Sequence, residues 1–427
     1  MQMKWNVMAL AIAAATSSSL TLASAQSESK GFIEDSSLNV HSRLLYMNRD
    51  FRNGAGNTNA ITGKTNGYRE ETGLGVRAFY ESGFTQGTVG FGVDAHALSA
   101  IKLDSGKGRY GTGQFGQTDD GSADDTQTRG GAVLKARVSN TTLKYGNQLV
   151  ETPVFSTDDA RLLPEVATGT FLVSEEIDGL SLNAGRFTAL SSMTATGRDT
   201  INGKGAAGLT SANIFGADYR FTEDFSAGLH ASDVEDHFKK TYLNLNYTLP
   251  LGDERSLNLD FNAYRSKDDG RKLSGDLDNK IWSLAAAYNM GAHTFTLAHQ
   301  RASGDTGYTY GIDGGGTVWL ANSVQYSDFI GKDERSWQVR YDLDMASYGV
   351  PGLSFMSRYI TGDNIDTGAS RDAKEHEFNF ESKYVVQEGV AKDLSLRLRS
   401  ALYRASSAYD DDVNEVRLIV EYPLSIL

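Results

Sequence analysis

Thr88-Val89-Gly90-Phe91-Gly92-Val93-Asp94-Ala95-His96-Ala97 alternates without a break. Val89, Phe91, Val93 and Ala95 fall on one face, and Gly90, Gly92, Asp94 and His96 on the other. A period of two places successive side chains on opposite sides of a β-strand. The same pattern runs through Leu243/Leu245/Tyr247/Leu249, Leu257/Leu259/Phe261/Ala263, Trp282/Leu284/Ala286/Tyr288, Trp337/Val339/Tyr341/Leu343, Leu394/Leu396/Leu398 and Val416/Leu418/Val420/Tyr422. Near the start it appears as Leu38, Val40, Leu44 and Tyr46 opposed by Asn39, His41 and Arg43.

The connections alternate in length. Ser139-Asn140-Thr141, Ile177-Asp178-Gly179, Thr222-Glu223-Asp224 and 251–255 are short, whereas 51–71, 104–129, 148–167, 190–210, 266–279, 302–333 and 362–374 are long. Short turns on one rim and long loops on the other predict a closed antiparallel transmembrane β-barrel with short periplasmic turns and long extracellular loops. Eighteen strands result if 319–329 belongs to the long seventh loop. An even count puts both termini on the periplasmic side, where the first and last strands can pair. Tyr46, Tyr80, Tyr145, Tyr247, Tyr288, Tyr341, Tyr359, Tyr384 and Tyr422 lie near the ends of apolar faces, as interfacial girdles require.

Composition fits this reading. The mean hydropathy of −0.38 suits a wall in which only alternate residues meet lipid. There are 5 prolines and no cysteines, so an exported chain would be held by its strand ladder rather than by disulfides. Lys4, the apolar run Val7–Ala15 and the Ala23-Ser24-Ala25 cleavage pattern mark residues 1–25 as a secretory signal peptide. Residues 26–427 would then be one barrel domain in the outer membrane of a Gram-negative cell. The net charge of −13 offers no electrostatic footprint for nucleic acid.

With the apolar residue of each strand turned outward, the lumen receives Arg43, Arg77, Lys135, Arg137, Lys144, Arg340, Arg358, Lys383, Arg397, Arg399 and Arg417. Closure makes the last five strands and the first two consecutive, so most of these bases form one wall. Asp218, His230, Asn244, Asn246, Asp260 and Asn262 face them from strands eight to eleven. A narrow, low-dielectric pore strengthens each charge, and a guanidinium fork matches a carboxylate with two parallel hydrogen bonds. A staggered basic row would pass small carboxylates from site to site. The alternative is that Glu81, Asp94, Asp342, Glu377, Glu381, Glu415 and Glu421 pair with these bases and the wall is merely solvated.

An enzyme would need a nucleophile, a base and an orienting group in register. None of the 7 histidines lies in a nucleophile-elbow or His-Glu-x-x-His context, and no cofactor or resident metal is expected. The segment 363–368 has a calcium-loop beginning but lacks the later ligands.

Five segments resemble the OprD family of outer-membrane carboxylate channels. They are 31–38 (Gly-Phe-Ile-Glu-Asp-Ser-Ser-Leu), 80–87 (Tyr-Glu-Ser-Gly-Phe-Thr-Gln-Gly), 320–329 (Leu-Ala-Asn-Ser-Val-Gln-Tyr-Ser-Asp-Phe), 346–353 (Ala-Ser-Tyr-Gly-Val-Pro-Gly-Leu) and 422–427 (Tyr-Pro-Leu-Ser-Ile-Leu). The resemblance implies a monomeric eighteen-stranded barrel in contact with outer-membrane lipid. It also implies a lumen narrowed by the third, fourth and seventh loops, and a basic ladder formed by the inward bases above. Arg161-Leu162-Leu163-Pro164 resembles the constriction segment of the third loop, which makes Asp158, Asp159 and Arg161 constriction candidates. Members that take up basic amino acids tend to carry an acid just before Leu-Ala-Asn-Ser, where this chain has Gly314-Gly315-Gly316-Thr317-Val318-Trp319. That departure favours simple or cyclic carboxylates, while Asp313, a further constriction candidate, keeps a channel for basic amino acids open as an alternative beside a general, non-specific porin.

Overall fold

The computed structural model describes residues 24–199 and 208–427; the expected signal peptide falls almost wholly outside them. Eighteen strands form one closed antiparallel sheet. In chain order they are β1 Ser37–Phe51, β2 Tyr68–Glu81, β3 Val89–Asp104, β4 Thr126–Val138, β5 Thr141–Gln148 and β6 Val166–Ile177, then β7 Leu180–Ser191, β8 Ala212–Arg220, β9 Phe225–Val234, β10 Phe238–Gly252, β11 Arg255–Asp268 and β12 Asp278–Met290, and finally β13 His293–Gly304, β14 Arg335–Asp344, β15 Leu353–Ile365, β16 Ala373–Val385, β17 Ser395–Ala405 and β18 Val413–Ser425. Each strand pairs with its sequence neighbours, and β18 returns to β1 in a register running from Asn39 opposite Ser425 to Phe51 opposite Val413. Every backbone donor and acceptor along the wall therefore has a neighbour, which hydrocarbon demands because an unmet group there costs several kcal/mol.

The alternation decides which face meets lipid. Phe91, Leu134, Tyr145, Leu297, Val339, Leu396 and Leu418 are exposed on the outside. Arg43, Arg77, Lys135, Arg358, Arg399 and Arg417 are buried on the inside. The segment 319–329 lies within the loop between β13 and β14, as the strand count required.

Three features depart from the sequence reading. Several loops are shorter than the sequence suggests, because the ladder continues past the apolar belt into segments that no longer alternate; the first runs only from 52 to 67. The fifth outer connection is a tight turn, 235–237, with Asp236 in the left-handed region at φ 62°. The lumenal face is also less polar than alternation implied. Leu45, Met47, Leu98 and Ala100 point inward and pack against Phe115, Leu162 and Leu163 from two infolded loops. A second apolar cluster joins Phe155, Phe187, Phe238, Tyr242, Tyr264 and Val318 on the other side. Where loops fill a barrel, its inner face becomes core, and the run Leu44-Leu45-Tyr46-Met47 is apolar on both faces for that reason.

Thiol probes placed singly along 394–400 should alternate strictly between lipid and water accessibility, with 396 and 398 in lipid. A period near 3.6 residues would contradict the wall.

Candidate functional site: the lumen and its infolded loops

Loop 3 (149–165) lies across the lumen and is held by wall arginines. Arg43 on β1 donates from Nη1 to the Asp159 carbonyl at 2.9 Å and also reaches the Arg161 carbonyl. Arg77 on β2 donates to the Leu162 carbonyl at 2.7 Å, the Arg161 carbonyl at 2.9 Å and the Asp159 carboxylate. Arg129 on β4 reaches the Pro164 carbonyl, and the Ala195 carbonyl of the loop that follows β7 at 3.1 Å. A guanidinium has several donors in a fixed plane, so one side chain can satisfy carbonyls that a loop inside a pore cannot satisfy in a ladder. The loop sits flush against β2. A Cβ at Gly75 would lie 2.7 Å from the Leu162 oxygen, so that position must lack a side chain.

Loop 7 (305–334) fills the other side. Its Asp313 carboxylate meets Lys240 of β10 at 2.6 Å, and both side chains are wholly buried. The ammonium also lies 4.4 Å from the centre of the Tyr308 ring. Asp313 was a constriction candidate from the sequence; in the fold its charge is neutralised against the wall. Further along, the amides of Tyr326 and Ser327 donate to Glu377 of β16 at 3.0 and 2.9 Å. Gln325 bonds to Glu415, and its carbonyl accepts from Arg417 at 3.0 Å.

The two loops also bond to each other. The Ser156 amide donates to the Asp313 carbonyl at 3.0 Å, and Gly316 returns a bond to the Ser156 carbonyl at 3.1 Å. Glu165 accepts from the amides of Asp158 at 2.8 Å and Gly315 at 2.9 Å. Burial pushes the Glu165 carboxyl up to about 7, aided by the nearby charges of Asp158 and Asp313 and opposed by those amides. Arg161 donates to the Thr112 carbonyl of loop 2 (105–125) at 2.8 Å. Burial, and then the charges of Arg417 and Arg49, hold its pKa below the ordinary arginine value.

The basic wall shares its acids. Glu381 binds Arg397 at 2.8 Å and Arg399 at 3.2 Å. Glu415 binds Arg417 at 2.6 Å and also Arg49. Asp159 binds Arg43 at 3.2 Å and Arg77 at 2.7 Å, and Glu421 adds to Arg43. Arg340 pairs with Asp342. Arg358 donates to Asn379 at 2.7 Å, and neither it nor Lys383 makes an ion pair among the described residues. Lys135 and Lys144 share Asp94, and Arg137 reaches Gln26 at 3.0 Å. Pairing is thus more extensive than the sequence suggested, yet the bases outnumber the carboxylates they share. Opposite, Asn244 and Asn246 both donate to Asp260, and His230 meets Asp218 at 3.1 Å. Asp366, from the calcium-like stretch, is paired with Lys332.

The sequence reading missed Arg49, Arg129 and Lys240. Arg49 lies six residues beyond Arg43 on the same inward face, so continuing the alternation through Leu45 and Met47 would have found it. Nothing local signals that Lys240 meets Asp313, because 73 residues separate them.

A closed eighteen-stranded barrel with infolded loops defines an outer-membrane channel. The profile of the outer membrane porin, OprD family, matches residues 30–426, and the chain belongs to that family. Porin D of Pseudomonas aeruginosa is 46% identical, over 100% of this chain and 99% of that protein. Acinetobacter baumannii OccAB1 superposes with a TM-score of 0.88 at 35% identity, covering 95% of this chain and 100% of that one. Pseudomonas aeruginosa OpdK with vanillate gives 0.82 at 35% identity, covering 92% and 100%. The protein is therefore a Gram-negative outer-membrane porin of a substrate-specific channel family.

The shifted Glu165 carboxyl gives the loop contact a pH dependence. A raised folded pKa means its stabilisation is complete below the ordinary value of 4.5 and is lost as pH rises through about 7. The span corresponds to at most about 3 kcal/mol. Amide exchange at Gly315, corrected for the intrinsic rate, should show more protection at about pH 5.5 than at about pH 8. Glu165→Gln should abolish the difference, and equal protection in the unaltered protein would contradict the assignment.

Proposed function

We propose that this porin passes small carboxylate-bearing solutes down their gradient along Arg397, Arg399, Arg417, Arg358, Lys383, Arg340, Arg43 and Arg77. The remaining lumenal bases, Lys135, Arg137 and Lys144, would attract anions on the adjoining wall. The observation that carries this reading is the sharing of acids. Glu381, Glu415 and Asp159 each serve two guanidiniums, so donors remain for a further anion. A carboxylate reaching them exchanges water for charge-assisted bonds worth about 1.5–3 kcal/mol each. Such bonds are strong enough to select and, when several sites share the work, weak enough to release. The Asn and Asp side chains opposite would carry the rest of the solute by hydrogen bonding.

Relatives support the substrate class. OpdK was crystallised with vanillate, which carries a carboxylate. A cationic amino acid would need a free acid in the constriction, and Asp313 is occupied by Lys240. Asp158 and Asp159 are the other acids beside the path, Asp159 paired with Arg43 and Arg77, and Arg161 of loop 3 reaches across to loop 2.

Replacing Arg397, Arg399 and Glu381 together by Gln removes the paired charges without stranding a carboxylate. Vesicles carrying that variant should take up a labelled carboxylate about tenfold or more slowly, the worth of one lost charge-assisted bond. Uptake of a small neutral solute should be unchanged, and a heat-modifiability gel confirms folding. Carboxylate uptake equal to that of the unaltered protein would leave the wall as solvated lining.

A further inference from the structure

The outside of the barrel carries a second set of bases that transport does not use. On β11 to β14, at the rim opposite the termini, Arg265, Lys280, Arg301 and Arg335 fall in phase with the lipid-facing residues of their strands and so point away from the lumen. Their register is unusual. Arg265 lies directly opposite Lys280, and Arg301 directly opposite Arg335. Like charges facing across a ladder repel and lower stability. Local acids meet only part of this charge: Asp278 holds Arg265 at 2.9 Å, and Asp363 holds Arg335 at 3.1 Å. Lys280 and Arg301 are exposed and make no ion pair among the described residues.

Directly below runs a continuous aromatic row. The rings of Phe261 and Trp282 lie 6.2 Å apart, Trp282 and His299 5.3 Å, and His299 and Trp337 4.2 Å. Between β10 and β12 the surface is indented into a groove. Leu243, Phe261, Ala263 and Trp282 line its apolar part, and Arg265 and Lys280 stand at its lip. Aromatic rings of this kind sit at the level where acyl chains give way to headgroups. Bases just beyond them lie where a lipid carries its phosphate.

We propose that this rim binds a phosphate-bearing lipid of the outer leaflet, with its chains on the aromatic row and its headgroup phosphate between Arg265, Lys280, Arg301 and Arg335. The anion relieves the repulsion of both facing pairs. The apolar groove beneath distinguishes this from a site for a free ion, because it gives the chains a surface contiguous with the phosphate.

The test uses the refolded full-length barrel in detergent, with phosphatidylglycerol and phosphatidylcholine of identical chains, read by native mass spectrometry. The unaltered protein should retain one phosphatidylglycerol in preference to phosphatidylcholine. Lys280→Gln with Arg301→Gln should weaken that retention about thirtyfold, at about 1 kcal/mol per base. Lys64→Gln, in the exposed first loop, should leave it unchanged. Should the double variant refold poorly, each single substitution should still weaken retention about fivefold. Equal retention of the two lipids, or retention unaffected by removing these bases, would overturn the proposal.

Discussion

A chain that crosses hydrocarbon as strands must close on itself, because an open edge would leave a row of backbone groups unmet at several kcal/mol each. The pairing of β18 with β1 meets that requirement, and the rest of the structure follows from it. Closure with eighteen strands fixes a wide ring whose inner face cannot be filled by side chains alone. The protein fills it with loops, and the loops bring their own unmet carbonyls and amides into the lumen.

Those groups explain why the wall is charged. Arg43, Arg77 and Arg129 donate to successive carbonyls of loop 3, while Glu377 accepts from loop 7 amides. The same side chains that narrow the pore also line it. On the proposed reading, structural and transport roles are coupled at Arg43 and Arg77, and less so at Lys383, which makes no bond to a loop backbone among the described residues. Asp313 stands at the other extreme. Losing either partner of a wholly buried ion pair costs about 3–5 kcal/mol, so Lys240 and Asp313 act as an anchor for loop 7.

The wall was legible in the sequence because its physics is local. A two-residue period with lipid on one side writes itself into every strand, and the inward bases could be read directly from Arg397-Leu398-Arg399 or Val416-Arg417-Leu418. The loops were legible in position but not in contact. Alternation breaks down at Leu44-Leu45-Tyr46-Met47 because both faces are buried, and this hid Arg49. The bond from Lys240 to Asp313 and the contact of Gly75 with Leu162 depend on segments far apart in the chain, so no local pattern marks them. The extended outer ends of the strands were missed since paired backbone above the lipid needs no apolar face.

The central claim is that wall arginines hold loop 3 across the lumen and so set the width of the path. Single-channel conductance of the unaltered barrel, compared with a variant carrying Arg43→Gln and Arg77→Gln, tests it most directly. Freed from these donors, loop 3 should no longer be pinned to β1 and β2, and the conductance should rise even though two lumenal charges are lost. An unchanged or smaller conductance in a correctly folded variant would mean that the loop is held by other contacts and that the arginines do not set the constriction.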